Sequence, residues 1–395
     1  MRWRNTSQTT LECSATAPYN TTLNIQSSFF DMPLLIIAVI LTMIGLIMVY
    51  SVTLNSNFIF LKGQIIRVAC GFIALIIASI VPYRFYQGWF KYFLLAGIIA
   101  MLIFTLLFGR QVAAVKRWSG FFQPAEIAKF VLIIFLAGYF TDKKENGENI
   151  SSWKNLIQPL LATGIVCTLL LLQPAVGTTI ILLSSALLIF FVAGVKFRQL
   201  VIIVLIGIAL LGIRVSRIKY AHDRVKRFSG GTTYQQEQSR IAIGSGGIIG
   251  QGLGEGKQKF YFLPKLHTDF IFSGIGEEFG LIGCIAILLL FYLLFNRGIK
   301  IGIEVNDKFG QMLIFGIMIV IFQYLLVHLG VALSIIPCTG QPLPFVSYGG
   351  SALVTNLYAI GVILNISKHR RKNSGFDTYR NWRNRRSYIP GALSR

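Results

Sequence analysis

About ten apolar runs of about 20 residues each divide this chain, and a run of that length crosses about 30 Å of hydrocarbon as a helix. They begin near Met32, Phe58, Phe90, Ala125, Leu156, Val176, Leu200, Phe272, Met312 and Ser347. Few folds are open to such a chain, because lipid offers no partner for backbone N–H and C=O groups and each span must satisfy its own. The reading is an all-α polytopic membrane protein of about ten transmembrane helices with one large extracytoplasmic loop. Composition agrees: 54% of the 395 residues are hydrophobic and 13% charged, where soluble domains carry about 25% charged residues.

Orientation follows from basic residues on the short loops. Arg2, Arg4, Lys143, Lys144, Lys196, Arg198, Arg297, Lys300, Lys308 and a tail rich in arginine fall on one side, expected to be cytoplasmic. Residues 1–30 are polar and lack the short apolar core and cleavage site of a signal peptide. They read as a cytoplasmic N-terminal tail, residues 31–367 as the ten-helix domain, and 368–395 as a basic cytoplasmic tail on an anionic leaflet. The expected arrangement is a membrane crossed many times, with both termini inside. The net charge of +22 is thereby assigned to membrane and anionic substrate, with no nucleic acid as partner.

The loop over about 215–270 falls outside and is basic against the rule. Arg217, Lys219, Arg224, Lys226, Arg227, Arg240, Lys257, Lys259 and Lys265 outnumber Asp223, Glu237, Glu255 and Asp269. They read either as a solvated surface or as a site for phosphates, which Arg and Lys bind by charge-assisted hydrogen bonds. The run of glycines from Gly244 to Gly256 favours close approach of backbone to a ligand. No strand-to-helix context or Gly-Lys-Ser/Thr ending makes it a nucleotide signature.

Cys13, Cys70, Cys167, Cys284 and Cys338 are scattered, and so are His222, His267, His328 and His369, so neither a disulfide framework nor a metal site is read. Fifteen acids are present. On this topology Glu126, Asp223, Glu237, Glu255, Asp269, Glu277 and Glu278 are outside or embedded, and a base acting there must come from them. Asp269 directly precedes Phe270-Ile271-Phe272, where loop meets membrane. It reads as a general base whose proton affinity burial raises and nearby cations lower, or as a helix cap for the eighth span.

Two further features stand out. Glu126 and Lys129 are i and i+3 at the start of the fourth span and read as a structural ion pair. Pro337, Pro342 and Pro344 exclude regular helix before Ser347-Tyr348-Gly349-Gly350-Ser351. That stretch reads as a re-entrant or partly buried loop whose small polar residues, Ser347 and Gly349 among them, line a cavity.

The segments RIAIGSGGIIGQGLGEGKQKFYFLPKLHTDFIFSGIGEEFGLIG, KRWSGFFQPAEIAKF, LQPAVGTTI and PCTGQPLPFVSYGGSA resemble the signature blocks of the SEDS family (shape, elongation, division and sporulation; FtsW, RodA and SpoVE). The resemblance runs over about 32–368 and is nearest to the FtsW spelling. It implies a ten-helix enzyme that polymerises lipid II into peptidoglycan glycan strands beside a class B penicillin-binding protein. It implies Asp269 as the catalytic acid, Trp118 as the tryptophan of the first large outer loop, and Glu126 with Lys129 as the family's Glu and Lys pair. Ala125 and Ala175 stand where the family usually carries Ser and Asp, and the Trp118-to-Gln123 spacing is shorter than usual.

The implied chemistry is proton removal by Asp269 from an acceptor sugar 4-hydroxyl, which attacks the anomeric carbon of a lipid-pyrophosphate-linked strand with inversion. Lys265, His267, Lys257, Arg240, Trp118, Ser347 and Gly349 are the expected substrate-binding residues. A divalent cation, Mg or Mn, is an optional helper at the pyrophosphate. A lipid II flippase or a non-catalytic division scaffold would share these features without covalent chemistry, and Asp269 is the residue that discriminates.

Overall fold

The computed structural model describes residues 30–53, 59–112, 115–118, 123–217, 233–258, 263 and 265–370. In chain order the helices are α1 Met32–Val52, α2 Ile59–Ile80, α3 Phe90–Phe108, α4 Pro124–Glu145, α5 Trp153–Leu172, α6 Val176–Ala193, α7 Phe197–Arg217, α8 Tyr234–Ser245, α9 Leu266–Asp269, α10 Ile271–Glu304, α11 Lys308–Ala332 and α12 Gly350–Ser367. Nine of them are long and apolar enough to cross a membrane, among the described residues. With the 21-residue α7, the chain is a multi-pass helical membrane protein, as its apolar runs require. The last span opens at Gly350 rather than Ser347, because the Pro-rich stretch before it does not continue into helix.

One departure from an all-helical chain lies between α3 and α4. There β1 (Arg110–Val112) and β2 (Val115–Trp118) form an antiparallel hairpin, with Arg110 opposite Trp118 and Val112 opposite Val115. Val112 and Val115 carry the β-branching that favours strand, in a segment too short and too charged for the hydropathy of a span to reveal.

Helix α4 is the hub. It is apolar all round and buried along nearly its whole length against α3, α5, α6, α11 and α12, as expected of a helix with no polar face. Helix α2 packs on α12 with little between them: a Cβ on Gly361 would lie 2.3 Å from the Leu75 carbonyl, and one on Gly71 2.5 Å from Leu357. Small residues that let backbones meet are the usual means of association inside lipid.

At the end where α1 begins, the buried Asp31 gathers three elements. Its carboxylate caps Leu34 N–H (3.1 Å), takes a bidentate pair from Arg297 (2.7 and 2.9 Å) and accepts from Arg370 (2.6 Å). Burial would raise its pKa, but the Arg297 and Leu34 hydrogen bonds and the Arg370 charge win and hold it below the usual carboxylate range. The start of the expected basic tail is therefore fastened, with Lys368 also donating to the Ser79 carbonyl (3.0 Å). Residues 371–395 lie outside the described residues.

Candidate active site

The opposite end of the bundle is organised by a break in α10. At Gly280 the backbone leaves helical values (φ 63°, ψ −158°), which frees carbonyls before it and N–H groups after it. The glycine loop that follows α8 inserts there. Gln251 and Gly252 donate to the Glu277 and Glu278 carbonyls (3.0 Å each), and Leu281 and Ile282 donate back to Gly247 and Ile248 (2.9 and 3.2 Å). Backbone groups at membrane depth are thus satisfied by a second segment of the same protein. Glycine is required for the contact: at Gly250 (φ 94°) a Cβ would sit 2.2 Å from the Glu278 carbonyl.

Of the glycines expected to allow close backbone approach, Gly246, Gly250 and Gly256 stand against α10. The two acids beside the break complete the joint. Glu277 accepts from the Lys257 and Gln258 N–H groups (2.6 and 3.1 Å), and Ser51 of α1 donates to Glu278 (2.6 Å). Helix α8 is pinned alongside: Ser239 donates to the Ala332 carbonyl (2.7 Å) and shares a hydrogen bond with Ser273 (2.6 Å), while Gln236 donates to the Ile336 carbonyl (2.8 Å).

The four-residue α9 is the piece so positioned. Lys265 enters it in the left-handed region (φ 62°) with its side chain exposed. Its carbonyl accepts from the Asp269 N–H at 3.0 Å. The re-entrant loop over 333–349 lies across α9 and is fastened to it twice: Tyr348 N–H donates to the His267 carbonyl (2.9 Å) and Ser347 Oγ to the Thr268 carbonyl (2.7 Å). Ser347 also accepts from Leu343 N–H (2.9 Å) and is buried, so its hydroxyl holds the loop rather than facing an open space.

The loop itself is deeply seated. Leu343, Phe345 and Val346 are buried, and a Cβ on Gly45, in the middle of α1, would lie 2.6 Å from the Val346 carbonyl. On its other side Gln341 donates to Thr178 of α6 (3.2 Å), and its carbonyl accepts from His328 Nδ1 (3.0 Å). A carbonyl can only accept, so Nδ1 carries the proton. These contacts bury the proline run among α1, α6 and α11, in line with its reading as a re-entrant or partly buried loop.

Asp269 closes α9, half-buried, beside Gly340. A Cβ on Gly340 would stand 3.7 Å from Asp269 Oδ2, and its φ of 70° further favours glycine. The cap of α10 is Phe270, with no side-chain cap bond. His267 packs against Phe60 (centroids 4.8 Å) and Tyr348 (5.4 Å). Burial, and secondarily the Lys265 charge, push its imidazole pKa below the ordinary histidine value.

The remaining expected residues are placed as follows. Gly349, extended and half-buried, caps α12. Arg240 and Lys257 are exposed, on α8 and the glycine loop. Trp118 ends β2. Glu126 and Lys129 pair at 2.6 Å inside the bundle, with the Lys129 ammonium 3.7 Å from the Tyr324 ring centroid and Tyr324 donating to Glu126 at 3.4 Å. Ala175 caps α6 without a side-chain bond. Among the described residues no group of three or more His, Cys, Asp or Glu could hold a metal ion.

The α9 latch brings in Gly340 and Tyr348 as neighbours of the acid, and through Tyr348 it brings Arg67 of α2, whose guanidinium lies 4.2 Å above that ring. Sequence reasoning passed over Arg67, although a cation well inside an apolar span is a signal on its own.

Taken together, the fold and site define a polytopic membrane protein that holds one carboxylate on a short helix under a re-entrant loop. The family described as "Cell cycle protein", which joins FtsW, RodA and SpoVE, matches residues 32–372, and this chain belongs to it. The probable peptidoglycan glycosyltransferase FtsW of Geobacter metallireducens is 36% identical over 357 residues, 86% of this chain and 94% of that protein. Stage V sporulation protein E of Bacillus subtilis is 36% identical over 369 residues, 86% and 98% of the two chains.

Solved structures agree. A mutant of the rod shape determining protein RodA of Thermus thermophilus superposes with a TM-score of 0.67 at 26% identity, over 87% of this chain and 99% of that one. A chain from a structure described as the structural coordination of polymerization and crosslinking by a peptidoglycan synthase complex gives 0.72 at 25% identity, over 87% and 99%.

Proposed function

We propose that this protein is a peptidoglycan glycosyltransferase that polymerises lipid II at the outer face of the bacterial cytoplasmic membrane, in division or shape maintenance. The observation that carries the reading is the fixing of Asp269. Its helix is latched through main-chain groups to the re-entrant loop, so the carboxylate itself is not what holds the latch. In this reading the carboxylate accepts the proton of the acceptor 4-hydroxyl as that oxygen attacks the anomeric carbon, and pyrophosphate leaves with the polyprenyl chain.

The proposed partner is a single-span class B penicillin-binding protein. A relative of this fold is described as part of a peptidoglycan synthase complex that couples polymerization to crosslinking, which supports the assignment. Purified protein with its partner's crosslinking site blocked is expected to convert labelled lipid II to glycan polymer. Transfer of lipid II across vesicles without polymer would instead establish the flippase reading.

The proposed orientation places the α7–α10 connection outside and both termini inside. A Thr232→Cys variant is expected to react with a membrane-impermeant thiol reagent in intact cells. Labelling only after lysis would reverse the orientation and remove the site from the outer leaflet.

A further inference from the structure

Two lysines enclosed in this bundle have acidic partners: Lys129 pairs with Glu126, and Lys91 with Asp142. Arg67 is different. It lies about 12 Å along α2 from Ile59, at about 1.5 Å per residue, and its buried Nη1 has no hydrogen-bond partner. Gln64, three residues earlier on the same helix face, is fully buried, and both of its amide atoms are also without a partner. Leaving such groups unsatisfied in a buried place is unfavourable, so their coincidence points to a missing polar occupant.

The surroundings indicate its charge and position. The Arg67 guanidinium stacks 4.2 Å over the Tyr348 ring, which uses its face and leaves its N–H edge free for a planar or tetrahedral anion. Glycines make the room: a Cβ on Gly63 would lie 3.1 Å from the Tyr348 hydroxyl and 3.3 Å from Arg67 Nη1, and one on Gly350 3.1 Å from Arg67 Nε. Tyr348 is also the residue whose N–H holds the His267 carbonyl, so Arg67 is one side chain removed from the helix that bears Asp269. Ile65 and Ile66, 48% and 60% exposed beside it, face the region that lipid fills, so a bound anion could keep an alkyl chain in the bilayer.

We propose that Arg67, with Gln64 beside it, binds the pyrophosphate of the polyprenyl-linked substrate. The inference rests on the glycosyltransferase reading above. The shared chemistry is a phosphate on a lipid chain, so an anionic phospholipid headgroup is the other source.

The test uses the full chain in phosphatidylcholine nanodiscs, as wild type, Arg67→Met and Arg67→Lys, with undecaprenyl pyrophosphate and neutral undecaprenol as probes. Loss of charge-assisted hydrogen bonds predicts that Arg67→Met weakens undecaprenyl pyrophosphate about tenfold or more. Undecaprenol should be unaffected, and Arg67→Lys should restore part of the loss. Phosphatidylglycerol at equal concentration is expected not to displace the pyrophosphate.

Equal affinity of wild type and Arg67→Met would overturn the proposal, as would equal loss for undecaprenol or displacement by phosphatidylglycerol. Melting temperatures establish folding, and Gln64→Leu carries the same comparison if Arg67→Met does not fold. Wild-type protein that makes polymer while Arg67→Met binds normally defeats this inference alone. Wild-type protein that makes none defeats the reading beneath it.

Discussion

Asp269→Asn is expected to lower polymerisation of labelled lipid II by about 10² to 10⁴, the typical contribution of a positioned general base. Asn keeps the size of Asp and a carbonyl acceptor, but its amide cannot take a proton from the attacking hydroxyl. The contacts that seat its helix are main-chain ones. The latch that seats α9 runs through the His267 and Thr268 carbonyls to Tyr348 and Ser347, and the Asp269 N–H bonds to Lys265 through main chain. A change in stability of the size common at exposed sites, about 0.5 kcal/mol, would alter rate far less than this.

Glu255→Gln is the matched control. Glu255 is another acid of the same connection, exposed and bonded through its N–H to the Gly252 carbonyl, so it should retain activity at matched protein levels. Near-normal polymer from Asp269→Asn would remove Asp269 as the base and favour the flippase or scaffold readings. Loss in both variants would show sensitivity to the charge of the connection rather than to one position.

How much was legible beforehand depends on the kind of signal. Span positions were: the expected start at Met32 is also the observed one, Phe90 and Val176 likewise, and Ile59 and Ile271 are one residue from expectation. Hydropathy over about 20 residues is a strong, local quantity. The re-entrant loop was legible for a similar reason, since three prolines forbid helix wherever they fall.

Contacts between distant segments were not. The glycines of the connection announced close backbone approach, but their spelling could not say to what. The answer is a break in α10 at Gly280, inside a run that reads as one continuous apolar span. Ser347 was legible as a small polar residue near the site, while its use as a fastener to Thr268 joins positions 79 apart in the chain. Arg67 lay in plain view as a charge within a span, yet its significance comes from what it lacks, and only packing shows that its Nη1 and Gln64 have no partner.

Lys129→Met is expected to destabilise the protein by about 3 kcal/mol, because removing one member of a buried pair leaves the other as an uncompensated charge. The pair is fully enclosed: Glu126 is 4% exposed and Lys129 2%, with Tyr324 against both. One turn of α4 away, Gln123 N–H donates to Ser351 Oγ at the start of α12 (2.7 Å), so a shifted α4 would disturb the junction that leads to Gly349 and Tyr348. Loss of activity in the single variant would therefore not by itself show that Lys129 meets substrate.

The double variant Glu126→Gln, Lys129→Met separates the two roles. With both charges removed the desolvation cost disappears, and replacing a buried ion pair by neutral groups is often neutral in stability. The thermal midpoint in detergent should recover most of the loss, and polymerisation should recover with it if the pair only holds α4 against α11. Recovered stability with activity still absent would place one of the two charges in contact with the reacting lipid and end the structural reading. Additive losses in the two single variants, with no recovery in the double, would show that the 2.6 Å contact carries no coupling.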